Sequence, residues 1–127
     1  MNGVRTETLY ASAARTATPT AAEFDADLLR DAEVLEVQIV STAINLTPSV
    51  VPTIEVYNEL AAAWMTVLTG AAITTGSASV RLLFGPNVAA SANVAAQGII
   101  GRRMRLKMTH ADTDSITYSA LLVVKDC

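Results

Sequence analysis

The sequence predicts a single-domain, all-β fold: an antiparallel β-sandwich of about seven strands, with a jelly-roll or Ig-like topology. Three observations lead to this prediction. Apolar and polar residues alternate with a period of two in several stretches, the pattern of strands buried on one face. Turn-forming residues separate those stretches at regular intervals. A chain of 127 residues with 51% hydrophobic and 17% charged residues is long and apolar enough to form one core.

The first element is a strand over residues 6–16, which ends at the Thr-Pro-Thr sequence of residues 18–20. Thr favours extended backbone. The period of two places Thr6, Thr8 and Tyr10 on one face, where we expect them to contact a partner. A strand with such a face can pair with the sheet of a neighbouring molecule.

The domain organisation follows from this first element. Residues 1–20 form either an extended N-terminal arm or the first strand, and residues 21–127 form the β-sandwich domain. Residues 21–29 alternate acidic and apolar side chains, which is compatible with a short strand or with a turn of helix.

The middle of the chain contains four more alternating segments. They are residues 34–44, 53–58, 64–68 and 78–84. Residues 59–63 are too few for an independent helix and are predicted to form a hairpin loop between the second and third segments. The third and fourth segments are predicted to pair through residues 69–76, and residues 88–100 are a long connection or one or two helical turns.

The clearest alternation lies near the C-terminus. Met104, Leu106 and Met108 alternate with basic residues and Thr, and residues 115–125 show a second strand pattern that turns apolar on both faces near its end. That end is expected to be covered on both sides. The polar residues 110–115 are predicted to turn the chain between the two strands, so that they form an antiparallel hairpin.

The composition restricts the chemistry. One His and one Cys allow no disulfide framework and no Cys/His zinc cluster within the chain. His110 would act in catalysis only beside a nucleophile and an orienting carboxylate, and Cys127 is a terminal thiol with no evident role. Asp112 and Asp114, with Asp126 or one of the acidic residues of the first part of the chain, are candidate Ca²⁺ ligands, but turn formation explains the Asp-x-Asp spacing better. We therefore expect no enzyme activity and no cofactor.

Membrane and nucleic-acid roles are also disfavoured. No run approaches the roughly 18 apolar residues that cross a bilayer, and the first residues lack the apolar core of a signal peptide. The formal net charge is −3, whereas nucleic-acid binding relies on a basic footprint. We expect neither a membrane nor a nucleic acid as partner.

One basic cluster is the main candidate binding site. It consists of Arg102, Arg103, Arg105 and Lys107. In a strand the last three project from one face at intervals of about 6.5–7 Å. Docking to an acidic protein surface is the functional interpretation, nucleic-acid binding is its rival, and a simply solvated face is the alternative to both.

Acidic residues gather in a different part of the chain. They are Glu23, Asp25, Asp27, Asp31, Glu33 and Glu36. Opposite charges on separate patches allow copies of a subunit to associate head to tail, so a homo-oligomer is one prediction. Ion pairing within one chain, or solvation, explains the same pattern without association.

Three segments resemble small tailed-bacteriophage virion structural proteins: residues 8–20, 47–56 and 108–120, all rich in Ala, Thr and Val. The resemblance implies a capsid decoration or cement protein, made in the host cytoplasm and located in the virion. Its implied partners are the major capsid protein and copies of itself. Two alternatives are a tail or head-fibre-base protein and a host-glycan-binding module, and exposure of Trp64 and the tyrosines would favour the glycan.

Overall fold

Two β-sheets pack face to face in the computed structural model, which describes residues 3–126. Met1, Asn2 and Cys127, and with them the terminal thiol, lie outside the described residues. The elements in chain order are β1 (Val4–Arg15), β2 (Ala22–Glu23), α1 (Ala26–Arg30), β3 (Ala32–Ile44), β4 (Val50–Asn58), β5 (Ala63–Thr69), β6 (Ser79–Gly85), β7 (Ala95–Gln97), β8 (Met104–His110) and β9 (Ile116–Asp126). The prediction of an all-β sandwich is confirmed.

The strand order identifies the sandwich as a jelly roll. One sheet has the order β1-β9-β3-β6-β7 and the other the order β2-β8-β4-β5. Four antiparallel pairs are nested within each other along the chain: β4 with β5, β3 with β6, β2 with β8, and β1 with β9. Such nesting is a long hairpin rolled up so that its successive pairs alternate between two sheets. The short strand β7 adds to the first sheet, parallel to β6.

The core lies between the two sheets and is built from the alternating positions of their strands. Met104, Leu106 and Met108 of β8 are fully buried, as are Leu122 and Val124 of β9. The residues between them point away from the core, which leaves each sheet with an outer face. The predicted alternation of β8 is therefore confirmed, with its basic residues on the outer face of the four-stranded sheet.

The two C-terminal strands do not pair with each other, so the predicted hairpin is wrong. β8 pairs with β2 and β4, whereas β9 pairs with β1 and β3 in the other sheet. The loop between them crosses from one sheet to the other, held by hydrogen bonds from Ala111 N to Ser49 O and from Asn45 N to Ser115 O. The predicted pairing of β5 with β6 fails for the same reason, because the chain changes sheets between them.

Several local predictions resolve into specific structures. The β4–β5 hairpin and its loop over residues 59–62 are as predicted. Residues 21–29 contain both β2 and the start of α1, whose N-terminus is capped by the Asp25 carboxylate accepting from Asp27 N at 2.8 Å. No helix within residues 3–126 has the length and apolar character needed to span a membrane.

The outward residues near the end of β9 are half-buried. Leu121 and Val123 point away from the core, and both keep intermediate exposure. The expectation that this end is covered on both sides is therefore not met, and the outer face of the five-stranded sheet carries partly exposed apolar side chains.

Candidate docking surface

The basic residues on β8 form part of a mixed layer on the outer face of the four-stranded sheet. Register places Arg105 opposite both Glu55 on β4 and Glu23 on β2, and Tyr57 opposite Trp64 on β5. Arg103, just before β8, accepts at its carbonyl oxygen from Tyr57 N at 2.9 Å. We call this surface the arginine–aromatic face. It is defined by Arg103, Arg105, Lys107, Tyr57, Trp64, Glu23 and Glu55.

The arginines of this face lie over its aromatic rings. The Arg105 guanidinium carbon is 4.2 Å from the Trp64 ring centroid, and that of Arg103 is 4.4 Å from the Tyr57 centroid and 5.2 Å from the Trp64 centroid. The two rings meet edge to face at 5.2 Å with an interplanar angle of 70°. The distances from the guanidinium groups to the rings, and the distance between the two rings, are within the ranges where cation–π and aromatic contacts are favourable. The side chains therefore hold each other in place.

Two carboxylates neutralise two of the arginines. Arg105 Nε donates to Glu55 Oε1 at 2.7 Å, and Arg103 Nε donates to Glu23 Oε1 at 2.6 Å. Glu55 is 8% exposed, whereas the Glu23 side chain keeps 44% of its surface exposed. The hydrogen bond from Arg103 lowers the pKa of the Glu23 carboxyl, and the same bond raises the pKa of Arg103. The face is therefore less positive than its sequence suggests.

The remaining basic residues of the predicted cluster have different surroundings. Lys107 follows Arg103 and Arg105 along the same outer face, while Arg102 lies before β8 and is exposed. Arg102 and Arg103 line an open cleft of about 460 Å³. Its other lining residues are Ala26, Leu29, Arg30, Ile100 and Gly101. The cleft thus combines apolar side chains with guanidinium groups at one end of the sandwich.

The three predicted docking residues of β1 lie on the other sheet, apart from the arginine–aromatic face. Thr6 and Thr8 are exposed. Tyr10 is 8% exposed and donates its hydroxyl proton to Thr20 O at 2.7 Å. The expectation that it shares a face with Thr6 and Thr8 is wrong, because a register shift between Thr8 and Tyr10 reverses the alternation of β1.

His110 is half-buried and lies beside Tyr118 in a cluster of aromatic side chains. Its Nε2 is 2.9 Å from the hydroxyl of Tyr118, a residue that is 1% exposed. Burial lowers the pKa of His110, and the positive charge of Arg15 lowers it further. Burial also raises the pKa of Tyr118 to about 12. The Arg15 guanidinium lies 4.6 Å from the Tyr118 centroid, which joins the end of β1 to this cluster.

The candidate Ca²⁺ ligands are separated by the fold. Asp112 Oδ1 accepts from Asp114 N at 3.1 Å, a local turn, and Asp114 Oδ2 accepts from Thr47 N at 3.2 Å. Asp126 binds Arg5 at 2.7 Å. Within residues 3–126 no group of three His, Cys, Asp or Glu residues is placed to hold a metal ion.

The acidic segment makes several ion pairs within the chain. Glu23 binds Arg103, Asp27 binds Arg30 and Glu36 binds Arg81. Lys125 and Glu33 approach to 3.6 Å. The intramolecular interpretation therefore accounts for these four acids.

Sequence reasoning found the basic residues of the face but not their partners. The alternation of β4 places Glu55 and Tyr57 on the side of the strand away from its buried residues. This pattern is the sequence signal that these two residues lie on the outer face. Pairing of Arg105 with Glu55 depends on the register between two strands about fifty residues apart, which no local pattern encodes.

Comparison with known proteins gives one structural match. No protein-family model matches the chain. No curated protein is similar to it in sequence. Among solved structures it is similar to one described as "Structure of infectious bursal disease virus Gx strain", with 17% sequence identity and a TM-score of 0.48. The match covers 99% of this chain and 33% of that chain, so this chain spans about a third of the matched chain's length.

Proposed function

We propose that this protein is a non-enzymatic structural protein of a bacteriophage virion, a decoration or cement protein that binds the major capsid protein and copies of itself. The jelly-roll topology supports this, because viral capsid domains use that double-sheet arrangement, as do lectin domains and cupins. The resemblance of three sequence segments to small tailed-phage proteins points the same way. The observation that carries the proposal is the arginine–aromatic face.

The arginine–aromatic face has the composition of a binding hot spot. Trp, Tyr and Arg are the residue types that contribute most to protein–protein affinity. Here Trp64, Tyr57 and Arg105 are held by one another and by Glu55, so little side-chain freedom is lost when a partner covers them. Many copies on one particle would add modest single-site affinities through multivalency.

The free edge of β1 supplies a second contact for assembly. β1 pairs with β9 on one side only and forms an edge of the five-stranded sheet. Thr6 and Thr8 are exposed along that edge. An edge strand presents unpaired backbone groups to which a strand of a neighbouring molecule can be added.

A host-glycan-binding module is the second candidate. Tyr57 and Trp64 are both partly exposed and lie side by side on a sheet face, a placement that suits stacking against a sugar. Their rings are not coplanar, and guanidinium groups lie over them. That arrangement favours a protein surface over a sugar ring. A tail or head-fibre-base location would use the same face.

The test measures binding of the purified protein to empty shells of the cognate major capsid protein. The variant Arg103→Ser/Lys107→Ser removes two outward cations and keeps the buried Arg105–Glu55 pair. Its matched control, Arg81→Ser/Lys125→Ser, makes the same charge change on the five-stranded sheet. We expect the first variant to lose about tenfold in affinity at low salt and the control to bind like the wild type.

Two outcomes would contradict the proposal. Equal affinity of both variants for the shells would show that the arginine–aromatic face is not the docking site. No binding of the wild-type protein to shells, combined with binding to an immobilised oligosaccharide that is lost in Trp64→Ala, would favour the glycan module. Because ions screen exposed charges, raising the salt concentration should also reduce the difference between the two variants.

A further inference from the structure

The loop of the β4–β5 hairpin carries a fully exposed apolar side chain at a fixed position. Leu60 is 99% exposed. The Asn58 side-chain oxygen accepts from Leu60 N at 3.0 Å and from Ala61 N at 2.9 Å, and Ala62 closes the turn with a φ of 53°. These hydrogen bonds fix the backbone of the loop, so the leucine side chain projects from a defined position. Glu59, also exposed, precedes it, so the tip is both acidic and apolar. We call residues 59 and 60 the knob.

The cleft described above lies at the same end of the sandwich. Gly101, which lines it, approaches Val56 so closely that a Cβ there would clash with the Val56 Cγ2 atom. Arg103, another lining residue, bonds to Tyr57, two positions before the knob.

The cleft is complementary to the knob in polarity and in charge. Leu29 and Ile100 give it apolar walls, and Arg102 adds positive charge, whereas Arg30 is paired with Asp27. Arg102 is exposed, and no ion pair to it is present among residues 3–126. The tip is acidic and apolar, and the cleft at the same end of the molecule is basic and apolar. The tip of one copy can therefore bind the cleft of a second copy, and a twofold interface makes this contact twice.

We propose that two copies of this chain associate through reciprocal insertion of the knob, Glu59 and Leu60, into the cleft that Leu29, Ile100 and Arg102 line. Each copy supplies one knob and one cleft, so the contact is made twice and closes. This rests on the part of the proposed function in which the protein binds copies of itself. It does not depend on shell docking, which uses the outer face of the four-stranded sheet.

The experiment measures the self-association of the full chain by sedimentation equilibrium, without shells. We expect the wild type to form dimers, and we expect Leu60→Ser, Glu59→Arg and Arg102→Glu each to weaken dimerisation about tenfold or more. Leu46→Ser removes another exposed leucine, 72% exposed and at the opposite end of the sandwich, and serves as the matched control that dimerises like the wild type.

A charge exchange makes the test specific to the pairing. In each single-charge variant both contacts of the homodimer bring like charges together. In an equimolar mixture of Glu59→Arg and Arg102→Glu chains, both contacts of the mixed dimer bring opposite charges together, so dimerisation returns to near the wild-type level.

Three results would overturn the proposal: a wild-type protein that stays monomeric, dimerisation that Leu60→Ser leaves intact, or a mixture that fails to recover. Shell binding of the same Leu60→Ser variant keeps this separate from the proposed function. If the wild type is monomeric and the variant loses shell affinity, the knob contacts the shell protein, and the reciprocal contact is wrong while the docking role stands.

Discussion

Replacing Glu55 by Gln is expected to destabilise the protein by about 2 kcal/mol. The Glu55 and Arg105 side chains are only 11% and 24% exposed, and the 2.7 Å bond between them involves two charged groups. Hydrogen bonds to charged groups contribute about 1.5–3 kcal/mol, and loss of one partner leaves the other charge poorly solvated. Gln keeps the shape and an acceptor oxygen. Arg105 also keeps its contact with Trp64, which places the loss near the middle of this range.

Urea unfolding followed by circular dichroism measures this change. With an m-value of about 1–3 kcal/mol per molar urea, the midpoint should fall by about 1 M. The control is Glu23→Gln. Glu23 Oε1 accepts from Arg103 Nε, the same kind of bond, and Arg103 lies two positions before Arg105 on the same sheet face. That pair is exposed, so its loss should shift the midpoint much less and should depend more on salt.

A double-mutant cycle with Arg105→Gln then isolates the coupling between the two side chains. The reasoning predicts that Glu55 and Arg105 are coupled more strongly than Glu23 and Arg103. Equal coupling in the two cycles would refute it, because it would mean that burial does not strengthen the inner pair.

Two further predictions concern pH and packing. Burial and the charge of Arg15 hold the pKa of His110 below its unfolded value of 6.5, so the free energy of unfolding should fall as the pH drops below about 6.5. The variant His110→Asn should flatten this dependence between about pH 7 and pH 5. An unchanged pH dependence of the free energy of unfolding in denaturant titrations of the variant would contradict the prediction. Gly101→Ala places a methyl group against Val56 and should cost about 1–3 kcal/mol, whereas Gly3→Ala, with its nearest neighbour at 3.9 Å, should cost little. Equal thermal midpoints for the two glycine variants would show that the cleft wall yields.

The period-two patterns predicted strands and faces, but they did not predict partners. Met104, Leu106 and Met108 point inward as their alternation requires. The loop over residues 111–115 has the length and polarity of a hairpin turn, yet it carries the chain to the other sheet. A short polar connection fits either path, because local turn chemistry does not record which strand lies alongside. The pairing of strands that are distant in sequence decides which path the chain takes, and this pairing depends on burying the inner faces of the two sheets against each other.

The candidate site shows the same division. The outward run of Arg103, Arg105 and Lys107 follows from alternation alone. Its neutralisation by Glu23 and Glu55 follows from cross-strand register, which the sequence does not display. Tyr10 departs from the predicted alternation because of a bulge in β1, which no distinctive residue marks in the sequence. Local rules therefore succeeded within single strands and failed where strands meet or change phase.

The pairing of β1 with β9 has a consequence for how the molecule is made. Arg5 and Asp126, which bond at 2.7 Å, are separated by 121 positions in the chain. During synthesis β1 leaves the ribosome before β9 has been made, so its backbone hydrogen-bonding groups stay exposed to water and to other chains. Folding should therefore be slow and late, completed only when β9 emerges and inserts between β1 and β3. High expression would then favour aggregation of incomplete chains over native folding.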